Sequence, residues 1–223
     1  MNVANYVMKT ELVYSDDMSC TYAINREWDD SRKKAIIIEL YPTLSADRIG
    51  ELDSSTCHLL NHMRDFELGG ISIVNIYSKV FDYKPGVSEL AKDEENLKYL
   101  EELLGKSEIK DMDIIIAWGS SHATHKTTME MKLSILQMLK KKKLENQVVH
   151  IVPEYIDDDA KQGIHPLYLG LHHLREKWSL MPYDLDSEIE MLLRELKVKK
   201  DKSNKPITNK KKGKSESVLQ NKK

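Results

Sequence analysis

Short apolar runs alternate with segments of helical periodicity along this chain. Four runs stand out: residues 35–42 (AIIIELYP), 70–77 (GISIVNIY), 113–119 (DIIIAWG) and 148–154 (VVHIVPE). Each is too short for a globular helix and rich in β-branched residues, as strands buried on both faces are. Between them, residues 56–66 set Leu59, Leu60, Met63 and Phe66 at helical spacing. Residues 93–104 do the same with Leu97, Leu100, Leu103 and Leu104, and residues 125–143 with Met129, Leu133, Leu136 and Leu139. Gly69 and Gly70 read as the stop of the first helix, and residues 184–196 as a last helix. Residues 6–14 and 20–28 flank the polar turn Ser15-Asp16-Asp17 and read as a hairpin or two edge strands. The fold class expected is α/β, with three layers (α/β/α), a four-stranded, mainly parallel sheet and an N-terminal hairpin.

Composition narrows the picture. With 223 residues, 40% hydrophobic and 31% charged, the chain can bury a core of its own. No apolar stretch approaches the ~18 residues of a membrane helix, so no membrane partner is expected. The first residues, MNVANYVMKTEL, lack a basic region followed by a long apolar core, which argues against a secretory signal. Cys20 and Cys57 form no CxxC pair, so neither a disulfide framework nor a metal or cofactor site is expected, and a cytoplasmic location is the default.

Charge is unevenly spread. Residues 197–223 hold 11 Lys against Asp201 and Glu216, a net +9, which leaves the first 196 residues at −11. The sequence therefore divides into one α/β domain over 1–196 and a basic tail over 197–223 that is too poor in apolar residues to order itself. An acidic body is not the footprint of a tight duplex-DNA binder; the tail is either a solvated extension or a salt-sensitive phosphate tether.

Parallel sheets bind ligands beyond the carboxyl ends of their strands. The first strand runs into Tyr41-Pro42-Thr43-Leu44-Ser45-Ala46-Asp47, a proline turn followed by hydroxyls and an acid. Asn75 lies among apolar residues at the end of the second strand, where its amide either meets a nucleobase edge or bonds local backbone. Trp118 and Gly119 end the third strand, Trp118 most simply as a packing residue. Gly119 to Thr127 fails as a phosphate loop because His125 stands where a glycine is needed. His122 and His125 lack a third ligand for a metal. His165, held extended by Pro166, sits in a loop after the fourth strand and either stabilises negative charge or is a satisfied surface group.

Taken in order, these segments resemble an uncharacterised family of bacterial and phage proteins over about residues 20–180. Its consensus runs N-P-S-T-A-D, D-P-T, G-G-x-x-V-V-N-L-F-A, A-W-G and H-P-L-Y-L. The counterparts are residues 41–47, Asp53-Ser54-Ser55, residues 69–77, Ala117-Trp118-Gly119 and His165-Pro166-Leu167-Tyr168-Leu169. That family is similar in turn to the uracil-DNA glycosylase superfamily. The resemblance implies a water-positioning turn at Pro42 and Thr43, a base reader at Asn75 and a leaving-group stabiliser at His165. Tyr41 replaces the asparagine of some subfamilies, so water activation falls to Asp47 or Asp53.

The expected function is recognition of a nucleobase, in DNA or in a nucleotide. It is either hydrolytic, as a DNA N-glycosylase acting on a modified base, or non-catalytic. A phage–host interaction protein on the same scaffold is a third reading. Asn75 and His165 should share a pocket beside Tyr41–Thr43 with an aromatic wall from Tyr77 or Tyr168.

Overall fold

A computed structural model describes residues 1–155 and 162–203. Among them are seven strands: β1 (Lys9–Tyr14), β2 (Thr21–Glu27), β3 (Lys34–Glu39), β4 (Gly70–Asn75), β5 (Asp113–Ile116), β6 (Val148–Pro153) and β7 (Trp178–Pro182). Five α-helices accompany them: α1 (Ser54–His62), α2 (Glu94–Leu103), α3 (Lys126–Lys141), α4 (Pro166–His172) and α5 (Leu185–Ser203). The strands form one sheet in the order β1-β2-β4-β3-β5-β6-β7. Its centre, β4-β3-β5-β6, is parallel and built from the four apolar runs. Ile36, Ile37, Ile38, Ile114, Ile115 and Ile116 are fully buried there, because helices cover both faces.

Two strand assignments need correction. The sheet has seven strands rather than four: the N-terminal hairpin is part of it, since β2 pairs antiparallel with β4. Strand β7, absent from the sequence expectation, pairs antiparallel with β6. Its sequence, WSLMP, has no β-branched residue, and a neighbouring strand supplies what local propensity does not.

Alternation along the strands sorts the core into two halves. Ile36, Ile38, Val74 and Ile116 pack with Leu100, Met129, Ile135 and Leu192 of α2, α3 and α5. Ala35, Ile37, Ile73 and Ile115 pack with Leu59 of α1, Leu169 of α4 and Trp178 of β7.

Three further expectations shift. Helix α1 ends at His62, before Gly69 and Gly70. Gly69 is required instead by close packing: a Cβ there would lie 1.9 Å from the Asp29 carbonyl oxygen. The segment at 166–172, expected as loop, is helix α4, with Pro166 in its first turn, where a missing N–H costs nothing. Helix α5 continues past Leu196 to Ser203, so the first residues assigned to the tail are helical. The rest of the tail, 204–223, lies outside the described residues, as do Asp157–Asp159. Among the described residues no helix is long and apolar enough to cross a membrane.

Candidate functional site

The carboxyl ends of β3 and β4 place two polar side chains next to each other. Glu39 and Asn75 are register partners across the parallel pair, so they leave the sheet on the same face from strands ~4.8 Å apart. Alternation continues from Ile37 and Ile73, which directs both towards α1 and α4. Asn75 is 1% exposed and Glu39 6%. Asn75 Oδ1 and Glu39 Oε1 are buried with no hydrogen-bond partner among the described residues. Burial, and secondarily the Asp53 charge, push the Glu39 carboxyl up to about 8. It is therefore neutral at pH 7. On the other side of the sheet, Asn96 of α2 fixes the strand end: its Nδ2 donates to the carbonyls of Asn75 (2.8 Å) and Ile76 (2.9 Å).

Helix α1 begins over this pair. Asp53 caps it, Oδ1 accepting from the Thr56 amide at 2.7 Å. Thr43 Oγ1 donates to Asp53 Oδ2 at 2.6 Å. The buried turn residue Pro42 precedes Thr43 and accepts from the Phe81 amide through its carbonyl, so the β3 turn is tied to the segment after β4 as well as, through Thr43, to the helix start. Arg26 of β2, 2% exposed, donates to the Glu51 carbonyl at 2.7 Å and lies within electrostatic reach of Asp53.

His165 is brought to the same edge by the end of β5. Gly119 has φ +65°, and its N–H donates to the Gly163 carbonyl at 2.8 Å. A Cβ on Gly119 would come within 2.8 Å of His165 Cβ, so glycine lets the histidine loop lie on the strand end. His165 is extended (φ −72°, ψ 137°) and caps α4, its Nδ1 accepting from the Leu167 amide at 3.2 Å. Desolvation lowers its pKa to about 4, opposed by the charge of Asp53. The ring is therefore neutral at pH 7, and with Nδ1 accepting, the hydrogen sits on Nε2. Behind the turn, buried Lys132 lies 4.8 Å over the Trp118 ring and donates to the Gly119 carbonyl at 3.3 Å.

Glu39, Asn75, Asp53 with Thr43, and His165 thus gather at one end of the sheet, on the α1/α4 side. Other expected site residues lie elsewhere. Tyr41 packs edge-on against Phe81, at 5.6 Å, in the half-core on the α2/α3 side. Tyr77 is in that same half-core, its hydroxyl 2.9 Å from Thr128 Oγ1. Tyr77 also lines a cleft of about 320 Å³ with Ser78, Phe81 and Asp93, and neither Asn75 nor His165 borders it. Tyr77 therefore gives no aromatic wall beside Asn75: it lies past the end of β4, free of strand alternation, and packs in the half-core of Val74 and Ile76. Tyr168 is half-exposed against His172, at 4.3 Å. Asp47 is exposed and accepts a local bond from Ser45 Oγ, whereas the charge of Asp53 acts on Glu39 and His165. Among the described residues no three His, Cys, Asp or Glu are grouped to hold a metal ion.

Sequence reasoning missed Glu39 and Lys132. The signal for Glu39 was available: a lone carboxylate inside IIIEL, at the same strand position as the asparagine of SIVNIY.

No curated protein and no solved structure matches the sequence. One family model does match, over residues 21–167, and it spans the turn after β3, Asn75, Gly119 and His165. The chain belongs to that family, described as a protein of unknown function (DUF1643).

Proposed function

We propose that the carboxyl edge on the α1/α4 side recognises a nucleobase and serves hydrolysis of its bond to a sugar. One observation carries this reading: a buried asparagine whose side-chain oxygen has no protein partner, at the same sheet edge as a neutral histidine and a fixed carboxylate. Buried polar atoms without partners are uncommon, and at a strand end in an α/β sheet they suit a ligand. Asn75 offers the paired donor and acceptor that a base edge requires. The same assignment follows from the similarity read between the family and the uracil-DNA glycosylase superfamily.

The chemistry follows from charge. As the C–N bond breaks, its electron pair leaves with the base and positive charge grows on the sugar. His165 Nε2–H donates towards the leaving base, and its low proton affinity keeps it a neutral donor throughout. The Asp53 carboxylate faces the sugar cation. Water adds its oxygen to the sugar carbon, and the surplus proton passes by way of Asp53 to the released base.

Both oxygens of Asp53 already accept hydrogen bonds, from Thr43 and from Thr56, and this favours a second reading, a binding module without turnover. Base release measured by mass spectrometry, with DNAs carrying normal and modified bases and with the corresponding nucleosides, separates the two. The hydrolytic reading expects release that falls at least ~100-fold in His165→Ala. Release by no substrate, with base binding retained and weakened in Asn75→Ala, selects the binding module. Neither release nor binding removes the nucleobase reading.

A further inference from the structure

We infer that Glu39 contacts the ligand alongside Asn75, donating a hydrogen bond to an acceptor atom on the same edge of the base. The inference rests on the nucleobase reading of this site and adds a residue to it.

Geometry comes first. Glu39 and Asn75 end adjacent parallel strands in register, on one face, close enough for a single planar ring to meet both. Each has a buried side-chain oxygen without a partner. A buried carboxyl oxygen with no partner among the described residues costs stability, and an aliphatic residue at this strand end would avoid that cost. The neighbours in the sheet, Ile36 to Ile38, show what the fold itself prefers. A carboxyl kept here, over the start of α1 and beside the His165 loop, fits a ligand-facing role.

Electrostatics decide whether Glu39 donates or accepts. The charged group that acts on it is Asp53, which caps α1; His165, which caps α4, feels the same Asp53 charge, and so does Arg26 of β2. His165 is neutral at pH 7 and supplies no cation. Asp53 opposes a second negative charge, and burial opposes any charge. Glu39 therefore keeps its proton at neutral pH and presents an O–H. The two carboxyl groups divide the work: Asp53, held by Thr43 and Thr56, faces the sugar, and Glu39 donates to the base. The base must then offer an acceptor, a carbonyl oxygen or an unprotonated ring nitrogen, opposite Glu39.

The test is calorimetric titration of the full chain with uracil, cytosine, adenine, guanine and their 2′-deoxynucleosides from pH 6 to 9.5. For the tightest of these, wild-type affinity should be flat up to pH about 8 and then fall about tenfold per pH unit as Glu39 ionises. Glu39→Gln keeps a donor and does not titrate, so it should bind near the wild-type level and lose the alkaline fall. Glu39→Ala should bind about tenfold more weakly at pH 7. Lys132, across the sheet, is pushed down to about 8 by burial and titrates in the same interval, but Glu39→Gln leaves it unchanged. A fall that persists in Glu39→Gln overturns the inference, as does wild-type affinity in Glu39→Ala. If Asn75→Ala weakens binding and both Glu39 variants do not, the nucleobase reading stands and the Glu39 role fails. If no base or nucleoside binds the wild type, both fail together.

Discussion

In the proposed reading, His165 serves the fold and the site at once. Its Nδ1 accepts the Leu167 amide as a helix cap, which leaves the hydrogen on Nε2 for a ligand. Protonation would disrupt the cap, and burial holds the folded pKa at about 4 against an ordinary 6.5. As pH falls through that interval the unfolded chain takes up the proton first, so stability present above pH 6.5 is lost down to about pH 4. His165→Asn keeps a capping oxygen and cannot titrate. Denaturant unfolding at pH 7 and pH 4 should show a smaller acid loss in this variant, by on the order of 2 kcal/mol after allowing for the residue's partial exposure. An acid loss equal to that of wild type would show that His165 carries no such linkage. The positions of Asn75 and His165 at one sheet edge were legible in the sequence, because a polar group within or after an apolar run stands out. Lys132 was not: a lysine on an amphipathic helix reads as surface, and only the fold puts Trp118 beneath it. The face on which Tyr41 and Tyr77 pack was not legible for a related reason, since a residue just past a strand end can serve either face and only packing decides which.

Helices α1 and α4 lie side by side over one half of the sheet, and their capped starts carry Asp53 and His165. Their separation is set at Gly170, where a Cβ would fall 2.0 Å from the His58 ring. Gly170→Ala must push α4 away or turn His58 out, at a cost of ~1–3 kcal/mol for overpacking. We expect a lowered melting temperature together with weakened ligand binding, since the shift moves His165 relative to Asp53. A variant that melts and binds as wild type would show that the two helices can slide apart freely. The four central strands and helices α1, α2, α3 and α5 were visible in the periodicity, because burial on both faces or on one face writes itself into sequence. Helix α4 was not visible. It is seven residues long with a glycine inside it, and its proline suits a loop as well as a helix start.

At the scale of the whole molecule, the parallel centre is the most protected part and the antiparallel flanks the least. Hydrogen exchange should be slowest in β3 and β5, whose isoleucines are fully buried, and fastest in β1 and β7, which pair on one side only. Exchange from β1 as slow as from β3 would contradict this ordering. The sequence pointed to the centre and to a hairpin, but whether the hairpin joins the sheet depends on pairing between Ala23 and Val74, residues far apart in the chain. Those flanking strands also govern how the molecule meets copies of itself. A sheet that ended on β4 or β6 would present an apolar strand with free backbone groups, a template for another chain. Instead one margin carries Lys9 and Glu11, and the other closes on Pro182, which has no N–H to offer. The outer strands make the sheet a poor seed for edge-to-edge aggregation.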